Sequence, residues 1–154
     1  MREDTRRQRT GRWANRVLTA GAAGTCAVFL ATAPAMADGF EAHTIDNSRC
    51  GGVGGVIDFV DYGPGAPGGG NNDDYTVIHD LCDDGHGVEG YAWLDGAYLD
   101  KHYDGKGYAG DPEVWDPFGD IKGKHLVGIK VCLVDGSNDT TPSYCGSAEQ
   151  QING

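Results

Sequence analysis

The clearest pattern in the chain runs from Lys124 to Val134, where Val127, Ile129, Val131 and Leu133 fall on one side and Cys132 on the other. A period of two over that length predicts a β-strand with one buried face, closed by the turn pair Asp135-Gly136. Weaker versions precede it. Val56 to Tyr62 is a β-branched and aromatic run of strand length, and Tyr75 to Cys82 alternates Tyr75, Val77, His79 and Leu81 against the more polar Thr76, Ile78, Asp80 and Cys82. Val88 to Leu94 predicts a further strand. Asp95-Gly96 is a hairpin signal across which Ala97 to Tyr103 pairs back antiparallel. Gly63 to Asp74 and Asp83 to Gly87 read as loops from their Gly, Pro, Asn and Asp content, and Asp104 to Asp120 is irregular around Trp115. No helix-length window keeps a 3.6-residue period free of Gly and Pro. Short strands roughly every 10 residues, separated by Gly/Asp turns, predict an all-β fold, a small antiparallel β-sandwich or barrel.

The first 37 residues read differently. Six arginines between Arg2 and Arg16 precede a mostly apolar stretch from Val17 to Ala33, and Ala35-Met36-Ala37 has the small-x-small form of a secretory cleavage site. The expected organisation is a signal peptide over 1–37, an extended N-terminal arm over 38–49 and a disulfide-bonded β-domain over 50–154. Asp38 to Asn47 carries only Phe40 and Ile45 as large apolar residues and shows no periodicity. It is therefore expected to stand free of its own domain and to bind a partner through Phe40, His43 and Ile45, pairing its backbone with a neighbour's strand edge. No later apolar run is long enough to cross a membrane.

Charge narrows the class of partner. Of the 23 acidic residues only Glu3 and Asp4 lie in the first 37, whereas half of the 12 basic ones do. The remainder carries about −15, which repels phosphate backbones and excludes nucleic-acid binding through a basic patch. Secretion leaves Cys50, Cys82, Cys132 and Cys145, which allow three pairings. Short loop closure favours Cys50–Cys82 with Cys132–Cys145, and Cys82–Cys132, joining two strand-like segments, is the competitor. Val, Ile, Leu and Phe together make up only about a fifth of residues 38–154, close to the borderline for folding. Two disulfides worth roughly 3 kcal/mol each therefore matter against the margin of a small domain.

Candidate chemistry is sparse. Gly63-Pro64-Gly65-Ala66-Pro67-Gly68 matches a dinucleotide fingerprint in letters, but Pro67, three glycines and Asn71-Asn72 cannot open the helix that mechanism needs. His79-x-x-Cys82-x-x-x-His86 has tolerable zinc spacing, against which an oxidised sulfur is no thiolate ligand. His79 with Asp80 or Asp83 is the best-placed general-base pair, in a chain where every loop contains an Asp. The carboxylates Asp73-Asp74, Asp83-Asp84 and Asp95, Asp100 and Asp104 suit Ca²⁺ by type and lie in or beside flexible loops. None has the EF-hand spacing, and solubility and turn formation account for them without an ion. No cofactor is expected beyond that calcium option, and an enzyme is the last of the readings.

Tyr91, Trp93, Tyr98, Tyr103, Tyr108 and Trp115 crowd the middle of the chain. On one sheet face Tyr91, Trp93 and Trp115 would stack on a sugar or dock a protein; otherwise they fill a Leu-poor core.

The signal ending Ala35-Met36-Ala37, the start Asp38-Gly39-Phe40, Cys82 and the run Cys132-Leu133-Val134-Asp135-Gly136 resemble small secreted proteins of filamentous actinobacteria, and among them the adaptor subunit of umbrella toxin particles. That resemblance implies a disulfide-bonded protein joining a lectin subunit, through the arm, to a repeat-bearing toxin subunit. The expectation is thus a secreted, extracellular, non-catalytic adaptor or structural subunit of a toxin-like assembly. The alternatives are a calcium- or carbohydrate-binding module and, after them, a small hydrolase.

Overall fold

The structure is a computed structural model and describes residues 39–45, 50–63 and 74–154. The expected signal peptide, the 46–49 end of the expected arm and the body of the Gly63–Asp74 loop lie outside the described residues. Eight strands are described: β1 (Phe40–His43), β2 (Gly55–Val60), β3 (Tyr75–Asp80), β4 (Gly87–Leu94), β5 (Ala97–Asp104), β6 (Glu113–Trp115), β7 (Lys124–Val134) and β8 (Ser143–Asn153). They form two four-stranded antiparallel sheets, ordered β1-β2-β3-β6 and β5-β4-β7-β8. The fold is the expected all-β sandwich.

Its core follows from alternation. Ile57 and Phe59 of β2 and Ile78 of β3 face Val88 and Ala92 of β4 and Val127, Ile129, Val131 and Leu133 of β7, all nearly or fully buried. The sheets approach closely at Gly90, where a Cβ would lie 2.6 Å from Ile78 Cδ1 and 2.9 Å from Ile57 Cδ1. A larger residue there would have to displace both isoleucine side chains. The β4–β5 turn has Asp95 and Gly96 at φ 51° and 80°, the doubly left-handed pair whose twist suits a two-residue hairpin. In β3 it is the more polar side that points inward. Thr76 donates to the Trp115 carbonyl at 2.8 Å, and Asp80 accepts from the Cys82 and Gly107 amides at 3.0 and 3.2 Å. Buried polar groups with such partners avoid the desolvation penalty of unmet ones.

The disulfides are Cys50–Cys82 and Cys132–Cys145, with sequence separations of 32 and 13. The short-loop pairing holds and the Cys82–Cys132 alternative is overturned. One bond staples the open end of the β2–β3 pair; the other joins β7 to β8. Two such bonds fit an oxidising compartment.

The free-standing arm is overturned over its described part. Residues 40–43 are the edge strand β1, paired with β2 from Phe40↔Phe59 to His43↔Val56. Phe40 packs on Phe59 with ring centroids 5.4 Å apart, and Ala42 is buried. Thr44 is buried too, its hydroxyl accepting from the Gly54 and Gly55 amides at 2.8 and 3.1 Å. The chain then crosses to the other sheet, where the Ile45 amide donates to the Tyr144 carbonyl at 2.9 Å. Phe40, Ala42 and Thr44 alternate inward, but short Ala and Thr give that alternation no hydrophobic signal. His43 faces outward beside Glu41, 2.9 Å away, and Ile45 is exposed.

Candidate recognition face

The outer side of β5-β4-β7-β8 is built by the residues that the core does not take. Along β4, Val88, Gly90 and Ala92 point inward, so Glu89, Tyr91 and Trp93 point out. Register sets Tyr91 beside Lys130 of β7 and Lys101 of β5, and Trp93 beside Gly128 and Tyr98. Further out, Lys130 faces Ser147 of β8 and Gly128 faces Glu149.

These groups interlock. The Tyr91 hydroxyl donates to Glu89 Oε2 at 2.6 Å, and Lys101 Nζ stands 2.7 Å from Glu89 Oε1. The Glu89 side chain is only 3% exposed although it lies on the outer face. Burial first, then the Glu89 hydrogen bond, push the Tyr91 phenol well above its usual range. The bond to Glu89 likewise raises the Lys101 ammonium. Tyr91 and Trp93 stack with centroids 6.2 Å apart and planes inclined by 22°, and Tyr98 leans on Trp93 at 5.7 Å. Lys130 Nζ sits 4.2 Å from the Tyr91 ring centroid and 5.8 Å from that of Trp93, within cation–π range. Beside this cluster lies a depression of about 340 Å³ floored by Gly128 and walled by Trp93, Lys130, Ser147 and Glu149. A Cβ at 128 would meet Glu149 Cγ at 3.4 Å and Trp93 Cβ at 3.5 Å. The surface thus offers aromatic area, a cation, a carboxylate and a hollow, which together suit binding.

Of the three aromatics expected to share a face, Tyr91 and Trp93 do and Trp115 does not. Trp115 belongs to β6 of the other sheet, packs against the core and stacks on His102 at 5.7 Å. Sequence reasoning missed Glu89, Lys101, Lys130 and Glu149. The period-two spacing of Glu89, Tyr91 and Trp93 carried a signal for the first; the others need the register.

The remaining expectations come apart. Cys82 is oxidised, His86 pairs with Asp135 and His79 lies on the outer face of the other sheet, so the zinc set is not assembled. Among the described residues, the metal-ligand atoms that converge are those of Cys50, Cys82 and Asp84, and both sulfurs are in a disulfide. Asp80 turns inward from His79 and is held by backbone amides, so His79 and Asp80 are not paired. Asp95 and Asp104 sit at opposite ends of β5 and each accepts from neighbouring groups, Asp95 from the Leu126 amide and Asp104 from the amides of Asp80 and Lys106.

Comparison with family models, with curated proteins and with solved structures finds no match to this chain.

Proposed function

We propose that this protein is a non-catalytic binding subunit that works outside the cell and docks a protein partner on the outer face of β5-β4-β7-β8, as an adaptor in an extracellular assembly. The observation that carries this reading is the pre-organised cluster of Glu89, Tyr91, Trp93, Lys101 and Lys130. A buried, doubly bonded carboxylate holds the aromatic rings in place, so little side-chain entropy remains to be lost on binding. The two disulfides support the extracellular setting, and the strong negative charge supports a partner with a basic rim. A sugar stacked on Tyr91 is the weaker reading, because Lys130 already covers that ring.

The test is retrieval of partners from culture supernatant by the disulfide-intact protein and by Trp93→Ala and Lys130→Glu. Both variants are expected to melt close to the parent and to lose the partner. Retrieval of every partner by both variants would overturn the reading.

A further inference from the structure

The hollow beside Trp93 is the part of the recognition face whose charge is unmet. Gly128 forms its buried floor, and Trp93, Lys130, Ser147 and Glu149 stand around it, with Gly96 at the rim. Strand register fixes this arrangement, since Gly128 lies between Trp93 of β4 and Glu149 of β8. A residue without a side chain at the central position leaves a space of about 340 Å³ between an indole and a carboxylate. Other charges on this face are matched. Lys101 is bound by Glu89, and Lys130 leans over the Tyr91 ring with Nζ 4.2 Å from its centroid. Glu149 is exposed and, among the described residues, has no hydrogen-bond or ion-pair partner. Lys130, its diagonal neighbour on β7, is turned to the aromatic rings instead of to it.

We propose that this hollow anchors an arginine side chain of the docked protein, its guanidinium held between the Trp93 indole and the Glu149 carboxylate. The proposal rests on the docking role given above to this face and names what the partner must bring. The chemistry of the hollow selects that group. A carboxylate accepts two parallel N–H bonds from a planar guanidinium, which a lysine ammonium cannot supply. An indole beside it gives the same cation an apolar, attracting wall. Ser147 offers a hydroxyl to a remaining N–H, and Gly128 leaves room for the methylene stem. Lys130 stays over Tyr91, so its charge flanks the hollow without filling it. The excess of acidic over basic residues in the chain attracts a basic rim and repels a second copy. A neutral sugar in the same place would leave Glu149 without a counter-ion.

The experiment is a titration of the isotope-labelled, disulfide-intact protein with N-acetyl-arginine amide, read by NMR chemical shifts. The lysine and citrulline analogues and N-acetylglucosamine serve as comparisons at equal ionic strength. Saturable shifts at the Gly128 and Glu149 amides and the Trp93 indole N–H are expected with arginine, at a Kd on the order of 10⁻³ M. Binding is expected to be weaker with lysine and absent with citrulline, which keeps the shape and loses the charge. Glu149→Gln, at an exposed position, is expected to fold as the parent does and to bind arginine about tenfold more weakly, whereas Asp100→Asn binds unchanged. No saturable shift at these residues, equal binding of citrulline, full binding by Glu149→Gln, or shifts with the sugar and not with arginine would each overturn the anchor. Retrieval from culture supernatant separates this from the docking role. A partner lost by Trp93→Ala and by Glu149→Gln supports both; one lost by Trp93→Ala and kept in full by Glu149→Gln overturns the anchor alone; one kept by Trp93→Ala, Lys130→Glu and Glu149→Gln overturns the docking face as well.

Discussion

Glu89 and Tyr91 stand two residues apart on the same face of β4, joined by a hydrogen bond of 2.6 Å from the phenol to Oε2. The bond makes the outer face part of the fold's rigidity as well as a binding surface. Tyr91→Phe removes the donor and keeps the ring. The expected loss is about 1.5 kcal/mol, the lower end for bonds to a charged group, read from urea unfolding. Alkaline spectrophotometric titration checks the same contact, because burial and the Glu89 bond delay ionisation of Tyr91, and that delay is expected to disappear from the titration curve of the variant. No change in midpoint and identical titration curves would show the bond to be without weight.

Charge on the two sides of β7 is expected to act very differently. Val131 is fully buried whereas Lys130 lies on the outer face over Tyr91. Val131→Asp leaves an unpaired carboxylate in the core, at a cost of several kcal/mol that a small domain cannot absorb. Lys130→Asp loses only a cation–π contact of about 0.5–1 kcal/mol. Circular dichroism melts separate the two, and equal damage would mean that the outer face is covered in the native protein.

Two glycines make a contrasting pair. Gly90→Ala forces a methyl into the Ile57 and Ile78 side chains, and overpacking of this kind costs about 1–3 kcal/mol. Gly128→Ala meets its neighbours at ordinary van der Waals distances and fills the hollow beside Trp93. It is expected to leave Tm unchanged and to weaken partner binding. A Gly90→Ala protein as stable as the parent would show that the sheets separate more easily than their close approach implies.

The pH dependence of stability follows from Asp74. Raised chiefly by burial, its folded-state pKa of about 7 exceeds the ordinary aspartate value of 3.8, so between those values the folded protein holds a proton that the unfolded chain has released. Stability therefore falls as pH rises through this window, by up to about 1.4 kcal/mol per unit, and levels off above it. Burial shifts Asp58 and Asp80 upward in the same sense, while hydrogen bonds to Asp95, Glu113 and Asp139 act oppositely. Urea unfolding from about pH 5 to 8 is expected to show the decline, with Asp74→Asn flattened. A rise over that range in both proteins would contradict the assignment.

Where apolar alternation was strong, the fold was legible. β7 runs over the residues its pattern marks, and the Asp95-Gly96 turn stands where two left-handed residues were needed. β8 left no such mark: of its inward positions only Ala148 and Ile152 are apolar, and it is a strand because it pairs along β7 and is bonded to it through Cys145. β1 leaves no mark for the same reason, its inward Ala42 and Thr44 being too small to register as a core face. The candidate face was half legible. Tyr91 and Trp93 could be placed from spacing within one strand, whereas Lys101, Lys130 and Glu149 come from three other strands whose register no local signal encodes.

Because the Ile45 amide is bonded to the Tyr144 carbonyl, β1 and β8 close one side of the sandwich against each other and leave little unpaired backbone there. On the other side β6 has three residues, set between Pro112 and Pro117, and β5 carries Asp100 and Lys101 on its free edge. Proline and charge at an edge keep a further strand from adding. Among the described residues, the sheet edges are therefore poor templates for pairing with a second copy of the chain.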